Sequence, residues 1–254
     1  ELYAYIYLDG DGWVPAGIIE YEERGRLSLS RFRYGKRYLA RENAMALDPI
    51  QLPISDQTFT TPDGFALFNG VRDAGPDKWG RYLLDKKFGR ELSELEYVAA
   101  TGLHRAGALA FGTDPGSGPK VYTPNGFVPP HEKPLDLAFC AGAVQDIEKS
   151  EDSQRLKEYL EYGPSLGGAR PKANVYWNGT MHLAKFSLSR DERNEPLIEY
   201  AAMTLAAECG LNVPSVDKTE VLGRSVYLIE RFDRRKDVPI PFISGLTLTG
   251  LHES

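Results

Sequence analysis

Chemistry is concentrated in the last third of the chain. Residues 163–172 read Gly-Pro-Ser-Leu-Gly-Gly-Ala-Arg-Pro-Lys. Glycines let a backbone approach a ligand closely, and successive N–H groups in such a turn form a nest for an anion. Ser165, Gly167, Gly168 and Ala169 supply that loop, and Arg170 and Lys172 add positive charge. Neither a Walker A motif nor a dinucleotide fingerprint is present: the lysine spacing of the first is missing, and a polar helix precedes the loop and a strand succeeds it. Taken alone, such a segment is more often a turn than a phosphate cradle.

The next elements along the chain favour the cradle. Asn178-Gly179 is a hairpin turn signal, and residues 181–188 form the return strand, with Ala184, Phe186 and Leu188 on one face and Leu183, Lys185 and Ser187 on the other. A strand lysine shortly after a glycine-rich hairpin is the arrangement with which kinases hold nucleotide phosphates, and it needs a carboxylate to fix it. Asn194-Glu195-Pro196 opens a helix with apolar residues at Leu197, Tyr200, Ala201, Leu205 and Cys209, ended by Gly210. Glu199 lies beside that stripe and is the expected partner of Lys185. Strands over 216–222 and 225–230 close the sheet, and in kinase order residues 230–236 are the hinge that meets adenine. The basic run Arg234–Lys236 reads as a solvated surface.

The upstream elements are less chemical. Residues 1–40 read as β, with a turn at 9–12 and period-two alternation before it. Helices are expected over 76–88, with Pro76 in the first turn and Gly89 as the stop, and from Ser93, whose Ser-x-x-Glu pattern is a capping box. Residues 107–112 form a short apolar element. The Gly- and Pro-rich segment 113–134 reads as a linker, and helices are expected over 135–148 and 150–162. The expected organisation is α+β: a β-rich N-terminal subdomain over 1–150, then a kinase-like N-lobe over 151–254 made of an antiparallel sheet plus one helix.

The chain has 254 residues, a net charge of −6 and 42% hydrophobic residues, an ordinary globular composition with no global electrostatic reason to bind nucleic acid. Cys140 and Cys209 read as buried, reduced thiols of a cytoplasmic protein. The four histidines, at 104, 131, 182 and 252, have no metal-ligand spacing, so no metal site is expected in this chain. No apolar run approaches a membrane span, and the N-terminus has no basic region or cleavage site of a signal peptide.

At these residues the chain resembles the HipA family of bacterial serine/threonine kinase toxins. The matching pieces are residues 9–17, Pro76-Asp77-Lys78-Trp79-Gly80-Arg81, Arg105 to Gly112, the loop 165–172, Gly210 to Pro214 and Ile229 to Arg234. The resemblance implies that Lys185 contacts the phosphates of ATP and that Glu230, Phe232 and Asp233 contact adenosine. It also implies autophosphorylation at Ser165, which would place about −1.5 to −2 charges where ATP phosphates bind. One departure is Gly167-Gly168, where the best-known member has Ala-Gly. The implied partners are a helix-turn-helix antitoxin, DNA only through that antitoxin, and a protein substrate in translation such as an aminoacyl-tRNA synthetase. Catalytic residues are not expected in this chain: His252 is the only histidine after Lys185, and no H-x-x-D-x-x-N loop or D-F-G motif comes after it. The Mg2+ that accompanies ATP would find its ligands in a C-lobe that these residues lack. The expectation is an N-terminal portion, inactive alone. A natural pseudo-kinase or split-toxin subunit that binds and regulates partners stays open as the alternative, and an unrelated nucleotide-binding or DNA-associated regulator as the third.

Overall fold

A computed structural model describes residues 1–24, 27–131, 135–162 and 170–251. The chain begins as an antiparallel meander, β1 (Leu2–Leu8), β2 (Gly12–Arg24) and β3 (Leu27–Tyr34), followed by a single helical turn, α1 (Lys36–Leu39), and a short edge strand, β4 (Thr58–Thr60). Helices α2 (Asn69–Asp73), α3 (Lys78–Phe88) and α4 (Glu94–Ala100) come next, then β5 (Leu109–Gly112), which returns to pair with β1. The sheet order is β4-β3-β2-β1-β5. The register of β1 on β2 shifts between Ala4 and Tyr5. The bulge falls at Pro15 and Ala16, where proline's missing N–H breaks no ladder bond. Gly17 is required: a Cβ there would strike the Arg33 carbonyl and the Phe32 ring. Leu2, Ala4, Ile6 and Leu8 enter one core with Phe32, Phe68, Val71 and Val98.

Several starts and stops obey local chemistry. Pro76 stands ahead of α3 rather than in its first turn; Asp77 caps the helix by accepting from the Gly80 N–H at 2.8 Å, and Gly89 ends it with φ 67°. Ser93 and Glu96 form the capping box of α4. The segment expected as a bare linker folds a hairpin, β6 (Val121–Thr123) against β7 (Gly126–Val128), because Pro124-Asn125-Gly126 turns it; Tyr122 then packs 5.2 Å from the Phe88 ring.

A second core lies downstream. Helices α5 (Leu137–Lys149) and α6 (Gln154–Tyr162) cover one face of a four-stranded antiparallel sheet made of β8 (Lys172–Trp177), β9 (Thr180–Phe186), β10 (Val216–Val221) and β11 (Arg224–Glu230), in the order β10-β11-β9-β8. Cys140, Val144 and Tyr159 from the helices meet Val175, Ala184, Phe186, Val226 and Leu228 from the strands. Asp146 on α5 binds Arg155 on α6 in two hydrogen bonds and also accepts from Ser153, which holds the helices together. Asn178 and Gly179 take φ 49° and 84°, the type I′ turn that suits the twist of a tight hairpin. Helix α7 (Glu195–Glu208) packs on β10 and β11. The chain then makes the two-residue strands β12 (Arg234–Arg235) and β13 (Val238–Pro239) and ends its described part at α8 (Gly245–Thr249).

Two expectations about α7 are corrected. Leu197, Ala201 and Leu205 do not form a buried stripe: Leu205 is 60% exposed, and Pro196 is the buried residue of the helix. Cys209 at its end is exposed, whereas Cys140 is buried, and burial pushes the Cys140 thiol up to about 12. The native protein should therefore react with one equivalent of a thiol reagent such as DTNB at pH 8 and with two after denaturation. Native labelling of both thiols would contradict this packing.

Candidate functional site

The alternation of β9 turns Ala184 and Phe186 into the core and leaves Lys185 on the opposite face. Across the ladder its register partners are Lys172 on β8 and Tyr227 on β11. Lys185 Nζ lies 5.7 Å from the Tyr227 ring centroid and forms an ion pair with Glu199 of α7. Asn194 caps α7 by accepting from the Leu197 N–H, and Pro196 sets the first turn. These two features place Glu199 one turn into the helix, above the lysine.

Lys172, read from the sequence as added positive charge beside the glycine-rich loop, is turned inward instead. Its side chain is 3% exposed and its Nζ donates to Asp77 at 2.8 Å. Burial pushes the Lys172 pKa down and the Asp77 pKa up; their hydrogen bond and mutual charge work against both shifts. Asp77 thus caps α3 and ties the N-terminal region to the sheet. The signal is the aspartate in Pro76–Arg81, which a local reading sees only as a helix start.

The segment after β11 is held by a second charged cluster. Arg231 donates through Nε and Nη2 to Asp233 at 2.9 and 2.6 Å, and through Nη1 to the carbonyl of His104 and to Asn174 Oδ1 at 2.6 and 2.7 Å. Asp233 also accepts from the Gly107 N–H at 2.8 Å. Arg234 donates to Asp233 and to the carbonyls of Leu103, Arg105 and Gly107. The side chains of Arg231, Asp233 and Arg234 are each 6% exposed or less. The surface reading of the basic run therefore fails at Arg234, whereas Arg235 and Lys236 are exposed. Burial raises the Asp233 carboxyl, but the Arg231 hydrogen bonds and charge, with Arg234 and Gly107, outweigh it and leave it below its ordinary value. Gly107 takes φ 74°, and a side chain there would press on the backbone of Phe242.

Arg105 completes the arrangement. It is 1% exposed, and its guanidinium donates to the carbonyls of Ala74, Val98, Thr101 and Gly102, the open ends of α2 and α4. Burial pushes its pKa down to about 9.

A cavity of about 1080 Å³ opens between these elements. Lys185, Ile229, Glu230 and Phe232 line one side; Phe65, Arg72 and Asp77 line the other. The structure thus gathers Lys185, Glu230, Phe232 and Asp233 at one cavity, with Glu199 behind the lysine. Phe232 is 67% exposed and packs edge-on against Phe242. Asp233 lines the cavity, yet its carboxylate oxygens are occupied by the two arginines and Gly107. Arg170 forms an ion pair with Asp191. Ser165, Gly167, Gly168 and Ala169 lie outside the described residues. Among the described residues, no three His, Cys, Asp or Glu side chains converge as a metal site would require, and no helix is long and apolar enough to cross a membrane.

The fold and this cavity define an α+β protein in which a β-rich N-terminal domain clasps the lysine-bearing sheet of a second domain. Residues 5–112 match the HipA N-terminal domain and residues 164–254 the HipA-like C-terminal domain. The chain belongs to the HipA family. A curated relative, the serine/threonine-protein kinase toxin HipA of Shewanella oneidensis MR-1, is 29% identical over 153 residues, covering 54% of this chain and 31% of the relative. A solved complex of the Shewanella oneidensis MR-1 toxin–antitoxin system, with HipA, HipB and operator DNA, holds a chain that matches with a TM-score of 0.59 at 21% identity; the match covers 92% of this chain and 51% of that one. The present chain thus spans about a third of the curated relative and half of the solved chain.

Replacing Asp233 by Ala strands two buried guanidinium groups, and the expected loss of stability is about 3–5 kcal/mol. Because the folded pKa of Asp233 lies below its unfolded value, its contribution is complete above the usual Asp pKa of about 3.9 and disappears as pH falls through the lower folded value. Urea unfolding between pH 6 and pH 3 should show that acid loss in the parent and a smaller one in Asp233→Asn. An Asp233→Ala change within about 0.5 kcal/mol would mean that the cluster does not hold the segment.

Proposed function

We propose that this chain is the nucleotide-holding part of a serine/threonine protein kinase, the toxin of a toxin–antitoxin pair, which passes the terminal phosphate of ATP to a protein substrate. The observation that carries the reading is the Lys185–Glu199 pair on a cavity wall formed by the sheet that runs on into residues 230–233. A phosphate-binding lysine needs a fixed position, and the ion pair with Glu199 supplies it. ATP would lie with its phosphates at Lys185 and its base against the 230–233 segment; Phe232 offers an exposed ring there, while Asp233 acts by holding the segment. Mg2+ would come with the nucleotide and be held by residues outside the described ones. The names of the HipA relatives support the kinase and toxin reading, and the HipA–HipB–operator complex supports a HipB-type antitoxin through which DNA is reached. We place the protein in the cytoplasm, with its substrate in translation, such as an aminoacyl-tRNA synthetase.

Ser165 is the proposed autophosphorylation site. A phosphate there would carry about −1.5 to −2 charges into the place meant for those of ATP and shut the site.

Residues 1–254 contain no H-x-x-D-x-x-N motif after Lys185. Purified 1–254 should therefore bind a fluorescent ATP analogue yet transfer no phosphate from radiolabelled ATP. In the complete reading frame, Lys185→Ala should lower autophosphorylation at least about a hundredfold, with mass spectrometry reading phosphate on Ser165. Transfer by 1–254 alone, or an unchanged rate in Lys185→Ala, would overturn the assignment.

A further inference from the structure

The cavity stands at the upper end of the size of ligand pockets. Ligand pockets of about 300–1,000 Å³ already enclose most of a drug-sized molecule, and this one reaches about 1080 Å³. Its far wall is built by the N-terminal domain, from the turn at Gly64 and Phe65, the end of α2 and the start of α3.

The charges around the cavity settle its character. Arg81 is held by Glu94 in two hydrogen bonds of 2.6 and 2.7 Å. Lys185 is paired with Glu199, and Arg231 with Asp233. Asp77 is paired with Lys172. Asp73 accepts from the Ser244 N–H at 2.6 Å and the Thr247 hydroxyl at 2.7 Å, fastening α8 to α2. Among the described residues, the cations on the cavity wall left without a carboxylate are Arg72 and Lys78, and both stand on the N-terminal domain. Arg72 is half-buried, in the last turn of α2, and Lys78 is exposed at the rim. Glu230 lies on the opposite side, next to the segment assigned to the base. The N-terminal-domain wall thus carries both signs, Asp73, Asp77 and Glu94 beside Arg72, Lys78 and Arg81, and Arg72 and Lys78 are its cations with no ion pair among the described residues. A guanidinium that is half-removed from water and has no counter-ion favours an anionic ligand, and its planar fork matches a carboxylate.

We propose that Arg72, with Lys78, forms an acceptor subsite that binds an acidic segment of the substrate protein, with Glu or Asp side chains flanking the hydroxyl to be phosphorylated. The N-terminal domain thereby chooses the substrate while the sheet holds the nucleotide. The proposal rests on the kinase reading above. It assigns Arg72 a positioning role and leaves the nucleotide to Lys185.

The test uses the 254-residue chain, a fluorescein-labelled peptide Glu-Glu-Ser-Glu-Glu, its Lys-Lys-Ser-Lys-Lys counterpart, and a fluorescent ATP analogue. The acidic peptide should bind and the basic one should not, with affinity falling as salt rises. Arg72→Glu should weaken the acidic peptide about tenfold or more while leaving analogue affinity within about twofold; Lys185→Ala should do the reverse. Arg72→Lys, which keeps the charge and loses the fork, should bind the acidic peptide more weakly than the parent and more tightly than Arg72→Glu, and a circular dichroism melt reports folding of each variant. Analogue binding together with an acidic peptide that ignores Arg72→Glu overturns this proposal alone. Equal loss of both ligands in Arg72→Glu also overturns it, since Arg72 would then belong to the nucleotide site. Failure of the wild-type chain to bind the analogue at all counts against the kinase reading, and with it against the acceptor role of Arg72.

Discussion

Two arginines and one aspartate are buried together where the second sheet ends, and they carry a net positive charge that one carboxylate cannot balance. Arg231 and Arg234 need further acceptors, and they take them from the backbone carbonyls at residues 103–107. The segment after β11 is thus tied to the N-terminal domain by its own buried arginines. Such a cluster gives little net stability, because desolvating the charges costs about as much as pairing them returns. Its contribution is geometry, since any other arrangement strands a buried charge.

The rest of the site depends on the same docking. Lys172 and Lys185 are cross-strand partners and would repel if bare. Each has a carboxylate from a different direction, Asp77 from the N-terminal domain and Glu199 from α7. One lysine fastens the domains; the other stays half-exposed at the cavity. The division comes from depth, since Lys172 is 3% exposed and Lys185 30%. Asp73 repeats the theme by accepting from the Ser244 N–H and the Thr247 hydroxyl at the start of α8, which Ser244 itself caps. Asp73, Asp77 and Glu94 of the N-terminal domain, Glu230 at the end of β11 and Asp233 after it thus line one cavity.

Much of this is legible locally. The Asn178-Gly179 turn, the two faces of β9 and the cap at Ser93 come from short-range pattern, because turn chemistry and period-two alternation act within a few residues, whereas the pairing of Glu199 with Lys185 is read from the kinase-like order of loop, hairpin and helix. Three readings fail for a common reason. The run at 234–236 reads as solvated because charge predicts exposure unless buried partners exist, and those partners are more than a hundred residues away. The apolar residues of α7 read as a core stripe because periodicity does not reveal how much surface a neighbour offers; β10 and β11 cover only one side of that helix. Segment 113–134 reads as a linker because proline and glycine mark a hairpin turn as readily as a loop.

The sequence by itself determined the α+β class, the strand–turn–strand that carries Lys185, the helix that carries Glu199, and the family resemblance, since each is encoded in residues close along the chain. Only the tertiary structure decided that Asp77 belongs with Lys172, that Asp233 serves the hinge rather than standing open to the cavity, and that Arg72 faces the same cavity as Lys185. Those pairings join residues 95, 126 and more than a hundred positions apart. Their physical origin is burial: a charge withdrawn from water must find a partner, and which partner it finds depends on how the two domains meet.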